Sequence, residues 1–165
     1  MELDVVVETP MDSRNKYEMD QGLGRIRLDR TLFTAMQYPA EYGFVPNTLA
    51  EDDEPLDALV LAAERTFPGC HITSRVVGVF WMRDQNGPDA KLLCVPGNDP
   101  RQQHVEELGD LPWHLVEEIA HFFAVYKEIE PGKCSEVRGW QDRAFAEQVA
   151  REAFARFGAD EVGSM

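Results

Sequence analysis

The order in which hydrophobic periodicity changes along the chain restricts the fold more than any other feature. Short β-branched and aromatic runs come first, and helical spacing comes last. Residues 3–8 read as a strand, and residues 16–20 and 25–29 as a hairpin around Gln21-Gly22-Leu23-Gly24. Residues 56–62, 72–82 and 91–95 are further candidate strands, with Gln85-Asn86-Gly87-Pro88 a turn by composition. After Asp110-Leu111-Pro112, the residues Leu115, Ile119, Phe122 and Tyr126 recur at spacings of four, three and four. That spacing predicts a helix with Pro112 in its first turn and Lys127 and Pro131 at its end. A second helix from about Asp142 is expected to bury Phe145, Val149, Ala153 and Phe157. Gly158 would be its C-cap and residues 159–165 a frayed tail. No repeat or linker divides the chain, so residues 1–165 are expected to form a single domain. Strands followed by helices point to an α+β domain, a barrel-like sheet carrying helices on its outside.

The net charge of −14 opposes binding to nucleic acid or to anionic membranes. It would also repel a small anion unless cations intervene. No run approaches the roughly 20 apolar residues of a membrane span, and MELDVVVETP lacks the features of a signal peptide. Cys70, Cys94 and Cys134 are odd in number and far apart. They read as reduced, partly buried thiols of a cytoplasmic protein.

Against this background the stretch EDDEPLDALVLAA stands out. Glu51, Asp52, Asp53, Glu54 and Asp57 run directly into an apolar strand. Clustered carboxylates repel one another, and burial strengthens the repulsion. An acidic turn of this kind is either a solvated loop or a site for a hard divalent cation, which takes oxygen ligands. A second pair, Asp84 and Asp89, flanks the Asn86-Gly87-Pro88 turn, so two acidic loops could face each other. An EF-hand fits poorly because Pro55 and Leu56 fall inside the would-be loop. Zinc also fits poorly, because His71, His104, His114 and His121 show no ligand spacing with the cysteines. Only four lysines occur against 12 arginines, and Lys16, Lys91 and Lys127 each have an acidic or tyrosyl neighbour. Each alone is an ordinary surface lysine; with Arg30 they could hold a phosphate opposite the carboxylates. Gly22-Leu23-Gly24 lacks the third glycine of a dinucleotide loop, since Arg27 stands there. Trp81, in a strand pattern, and Trp140, just before the second helix, read as packing residues. An oligonucleotide-binding barrel is opposed by the charge.

Six ordered blocks bring a family into view. They are VVVETP, NKYEMD, RLDRTLFTAMQYPAEYGFVPNTL, DDEPLD, VGVFWMRDQNGPDAKLLCVP and IAHFFAVYKEIEPGK. Together they span nearly the whole chain, which resembles family I soluble inorganic pyrophosphatase of the short bacterial type. The resemblance implies a small OB-like closed β-barrel with two main helices packed outside. It implies hydrolysis of pyrophosphate to two orthophosphates with several Mg²⁺ per subunit, Mn²⁺ being a possible substitute. Carried over by position, Asp52, Asp57, Asp84 and Asp89 would ligate metal, with Glu8 and Glu18 at the edge of the site. Lys16, Arg30, Tyr126 and Lys127 would hold phosphate. Tyr42 and Lys91 would line the site, Tyr42 near the attacking water, and Tyr38 would support from behind. A homohexamer is implied, with the helix over residues 115–126 a candidate contact.

One position departs from the family pattern. The motif Asp-x-Asp-Pro-apolar-Asp reads here Asp52-Asp53-Glu54-Pro55-Leu56-Asp57, so Glu54 takes the place of the central aspartate that orients or deprotonates water. The added methylene extends the reach by ~1.5 Å, and a misplacement of about 1 Å can cost on the order of 10²-fold in rate. A shifted loop could put Asp53 in the role instead. The expectation is Glu54 in the slot, with activity retained but reduced or tuned to another metal. The alternative is a catalytically silent relative that binds metal and phosphate.

Overall fold

The computed structural model describes residues 1–165. The chain runs β1 (Glu2–Thr9), β2 (Asn15–Asp20), β3 (Arg25–Thr31), β4 (Glu41–Phe44), β5 (Asp57–Val60), β6 (His71–Asp84) and β7 (Gly87–Pro96). Then follow α1 (Trp113–Val125), β8 (Ser135–Asp142) and α2 (Arg143–Gly163). One mixed sheet has the order β1-β4-β5-β7-β6-β8, and β1 also pairs with β6. Five strands thus close into a ring, and β8 extends β6 beyond it. The β2–β3 hairpin is a separate ribbon. The α+β class, the closed sheet and the two helices are as expected. All pairings in the large sheet are antiparallel except β5–β7.

Alternation along the strands divides the apolar residues between two cores. Leu59, Phe80, Met82 and Leu93 pack with Ile119, Phe122 and Phe123 of α1. Ala58, Val60, Val79, Leu92 and Cys94 pack with Ala146, Ala150 and Ala153 of α2. A bulge between Val76 and Gly78 shifts the register of β6, so that Val77 and Phe80 share a core although three positions apart. Closing the ring brings β4 hard against β1. A Cβ on Gly43 would lie 1.9 Å from the Val6 carbonyl oxygen, so only glycine fits there.

Several expectations are corrected. The strand expected at 56–62 is only Asp57–Val60, and the strand expected at 91–95 extends over ten residues, Gly87–Pro96. The turn between β6 and β7 is only Gln85-Asn86, because Asp84 and Gly87 already pair. Trp140 stands just before α2, as expected, but within a strand, β8, that the sequence did not show. On α2, Phe145 is 58% exposed, and the buried stripe is alanine, which lets the helix approach the sheet closely. Phe157 is half-buried. The helix continues through Gly158 to Gly163, so Gly158 is no C-cap and residues 159–163 are helical. Cys94 is buried and Cys70 half-buried, but Cys134 is exposed.

Candidate active site

Strand register assembles the centre of the site. Asp57 pairs with Phe44 on one side and with Lys91 on the other, which places the first residue of β5 beside β7. Asp89 lies two residues before Lys91 and so shares its face. The Lys91 ammonium, with its side chain 3% exposed, donates to Tyr42 Oη at 2.8 Å, Asp57 Oδ2 at 2.9 Å and Asp89 Oδ2 at 2.9 Å. Tyr42 Oη donates to Asp57 Oδ2 at 2.9 Å. Burial pulls the ammonium towards neutrality, but Asp57 and Asp89 more than offset this and hold it well above an ordinary lysine. Burial, followed by the charge of Asp57, raises the Tyr42 phenol, which stays protonated. Asp89 is raised by burial despite the lowering influence of Lys91.

The β2–β3 hairpin forms a cationic wall. Lys16 and Arg30 are cross-strand partners. Asp29 Oδ2 accepts from Lys16 Nζ at 3.1 Å and also from Arg30. Glu130, in the turn after α1, is buried and accepts from Arg30 Nη2 at 3.2 Å. The Arg30 Nε–Glu130 Oε1 approach of 2.6 Å is poorly aligned and acts as an ion pair rather than a hydrogen bond. Glu18 is 3.4 Å from Lys16. Beyond the end of α1, Lys127 lies 3.7 Å from Asp84, whose Oδ1 accepts from the Asn86 amide in the hairpin turn. Tyr126 stacks on Phe122 with ring centroids 5.1 Å apart.

The loop before β5 supplies the acidic wall. Thr48 Oγ1 accepts from the Leu56 amide, and Asp52 Oδ1 accepts from the Glu54 amide at 3.1 Å. Asp53 has φ 64°, a left-handed turn position that aspartate tolerates. Burial is the first cause raising both Asp52 and Glu54, and Asp52 adds to the shift of Glu54. Across the floor, Glu8 accepts from the Met19 amide at 2.7 Å. Burial, aided by Asp57 and Glu18, pushes Glu8 up to about 7 against that hydrogen bond.

These groups line a cleft of about 630 Å³. Glu8, Lys16, Glu18, Arg30, Tyr42, Asp52, Glu54, Asp57, Asp84, Asp89, Lys91, Tyr126 and Lys127 all face it, so every candidate residue of the sequence reading comes together. Glu54 lines the cleft and Asp53 does not. Tyr38 stands behind, fully buried, with its ring 5.5 Å from that of Tyr42 and 6.4 Å from that of Tyr126. The sequence reading missed Asp29, Glu130, Asn86 and Lys133. Only the Lys16–Arg30 register could have pointed to Asp29. The acidic donors are all oxygens, the set a hard divalent cation takes. No three of the acidic, histidine or cysteine side chains come close enough together to hold a metal ion by themselves.

Comparison with known proteins agrees with this geometry. Residues 5–158 match the inorganic pyrophosphatase family. An inorganic pyrophosphatase of Streptomyces coelicolor is 53% identical over 157 residues, covering 95% of this chain and 96% of the relative. One from Leifsonia xyli subsp. xyli is 51% identical over 94% of this chain and 96% of the relative. The crystal structure of inorganic pyrophosphatase from Thermus thermophilus superposes with a TM-score of 0.93 at 45% identity, over 95% of this chain and 91% of that one. With match, identity and fold in agreement across almost its full length, the chain belongs to the inorganic pyrophosphatase family.

Proposed function

We propose that this chain hydrolyses inorganic pyrophosphate to two orthophosphates with divalent cations, Mg²⁺ first and Mn²⁺ as a substitute. The observation that carries the reading is the cleft itself, which gathers carboxylates and cationic side chains around one space. An acidic chain can bind a tetra-anion only if cations stand between, and the all-oxygen donor set is suited to hold them. Asp52, Asp57, Asp84 and Asp89 hold the cations, with Glu8 and Glu18 at the margin. Bound cations neutralise the phosphates and acidify the attacking water. Glu54 accepts the proton of that water as the general base. Tyr42, held by Asp57 and Lys91, orients the water. Lys16, Arg30, Tyr126 and Lys127 bind the phosphate that departs and stabilise its growing charge. Glu54 keeps both the carboxylate and its place in the cleft, which supports an active enzyme over a silent one.

The 165 residues act as one catalytic domain in the cytoplasm. No helix is long and apolar enough to cross a membrane. The domain assembles as a homohexamer, and exposed Trp113 at the start of α1 and Phe145 and Phe154 on α2 offer apolar contacts. The test is orthophosphate release from pyrophosphate with Mg²⁺, with Mn²⁺ and with a chelator. Release that requires metal is expected; release unaffected by chelation, or none with either metal, would overturn the reading. A sedimentation mass of one or two chains would overturn the hexamer.

A further inference from the structure

The loop that presents Asp52 is tied to a helix far away in the sequence. Both backbone groups of Leu49 are held by α2. Its amide donates to the Ala153 carbonyl at 2.9 Å, and its carbonyl accepts from Arg156 Nη1 at 3.2 Å, across 107 positions. The other guanidinium nitrogen, Nη2, lies 3.8 Å from Glu51 and 3.7 Å from Glu152. Arg156 is the only basic side chain paired with the four consecutive acids Glu51 to Glu54. Ala50 packs against the core beneath α2, and the loop closes on itself through the Ala50 amide to the Glu54 carbonyl at 2.7 Å and the Asp53 amide to the Ala50 carbonyl at 3.2 Å. Between it and the helix lies a small cleft walled by Ala50, Leu56, Trp81, Val149 and Ala153, with Asp52, Asp89 and Arg156 at its polar side. Those internal bonds shape the turn, while the ties of Leu49 to Ala153 and Arg156 set where its acidic end sits against α2.

We infer that Arg156 is a positioning residue for cation binding: by bridging the Leu49 carbonyl and Glu51 it fixes the loop from which Asp52 reaches the metal. The inference rests on the reading of Asp52 as a metal ligand. Removing Arg156 has two effects of opposite sign. Loss of a nearby positive charge makes the acidic loop a stronger trap for cations. Loss of the bridge lets the loop recoil from its neighbours and disperses the ligand. Positioning dominates, because the guanidinium is partly exposed and its long-range field is screened.

The test is calorimetric titration of Mn²⁺ into the full-length, metal-free protein without substrate, with melting curves alongside. Arg156→Ala weakens the Asp52-dependent site by roughly 3- to 10-fold, the size of one charge-assisted contact partly screened by water. Arg156→Lys, which keeps the charge and a donor, recovers at least half of the loss. Arg151→Ala, which removes an i,i+4 pair with Glu147 earlier on the same helix, leaves the titration unchanged. Binding that is unchanged or tighter in Arg156→Ala overturns the inference, as does equal weakening in Arg151→Ala or no recovery with lysine. Asp52→Asn separates the two readings. If it leaves Mn²⁺ binding intact, the metal assignment itself fails. If it weakens binding while Arg156→Ala does not, only the positioning role fails.

Discussion

Lys91 is the point at which the site's charges are most tightly joined, and Lys91→Met exposes what it does. The ammonium makes three polar contacts of 2.8 to 2.9 Å and is almost sealed from water. Methionine fills a similar volume but leaves Asp57 and Asp89 facing each other without a cation. Breaking a buried pair by removing one partner costs about 3–5 kcal/mol. Asp57 and Asp89 keep 27% and 19% of their side-chain surface, so water offsets part of that, and roughly 2–4 kcal/mol remains. For a domain of this size each kcal/mol moves Tm by about 2–4 °C, giving a fall of roughly 4–16 °C. The assay is thermal unfolding followed by circular dichroism, once in chelator and once in excess Mg²⁺. The full deficit is expected in chelator. Most of it should vanish in Mg²⁺, because a divalent cation can take the place of the ammonium between the carboxylates. A shift of less than about 2 °C in chelator, or the same deficit in both buffers, would refute the charge argument.

Glu54→Gln removes the proposed base and should lower kcat by about 10²- to 10⁴-fold with the fold intact. Glu54→Asp, which withdraws the ~1.5 Å of extra reach, should raise kcat with Mg²⁺ by up to ~10²-fold; equal turnover of the two proteins would show that the added methylene is without consequence. Glu8, held at about 7 against an ordinary 4.5, keeps a proton that the unfolded chain gives up first. Its stabilising contribution is therefore present below pH 4.5 and lost as the pH rises through 7, roughly 3 kcal/mol at about 1.4 kcal/mol per pH unit. In chelator, Tm should fall across that window for the wild type and stay flatter for Glu8→Gln; parallel curves would refute it.

What the sequence made legible follows from how each element is stabilised. The β2–β3 hairpin and α1 carry their signal locally, in turn residues and in apolar spacing, and both lie where expected. Strand β8 does not. Ser135–Asp142 is mostly polar, contains Gly139 at φ 118°, and is a strand because it pairs along β6. Strand β4 is four residues long, too short for alternation to show. On α2 the large residues misled, since the buried face is built from Ala146, Ala150 and Ala153 while Phe145 and Phe154 face outward. The acidic and cationic residues of the cleft were legible through the family resemblance. Their pairings were not, because Arg30 and Glu130 meet across 100 positions and the tie of Leu49 to Arg156 crosses even more.

Those pairings explain how an acidic protein can keep a phosphate site ready. In the metal-free chain the cations of the cleft are held by acids: Lys16 by Asp29, Arg30 by Glu130, Lys91 by Asp57 and Asp89, Lys127 by Asp84. Two of these acids, Asp29 and Glu130, are outside the proposed metal-ligand set and keep their partners oriented at all times. The other three are proposed ligands, so a divalent cation competes with Lys91 and Lys127 for them. Metal binding then frees ammonium charge for phosphate, and by linkage phosphate must strengthen metal binding by the same factor. Titrations of inorganic phosphate with and without Mg²⁺, and of Mg²⁺ with and without phosphate, should return one common coupling factor well above unity. Lys127→Met removes one of the competing ammonium groups and should reduce that factor. A factor near unity in the wild type would mean that the acids and lysines of the cleft act independently, and that their pairing is a coincidence of charge rather than a coupled device.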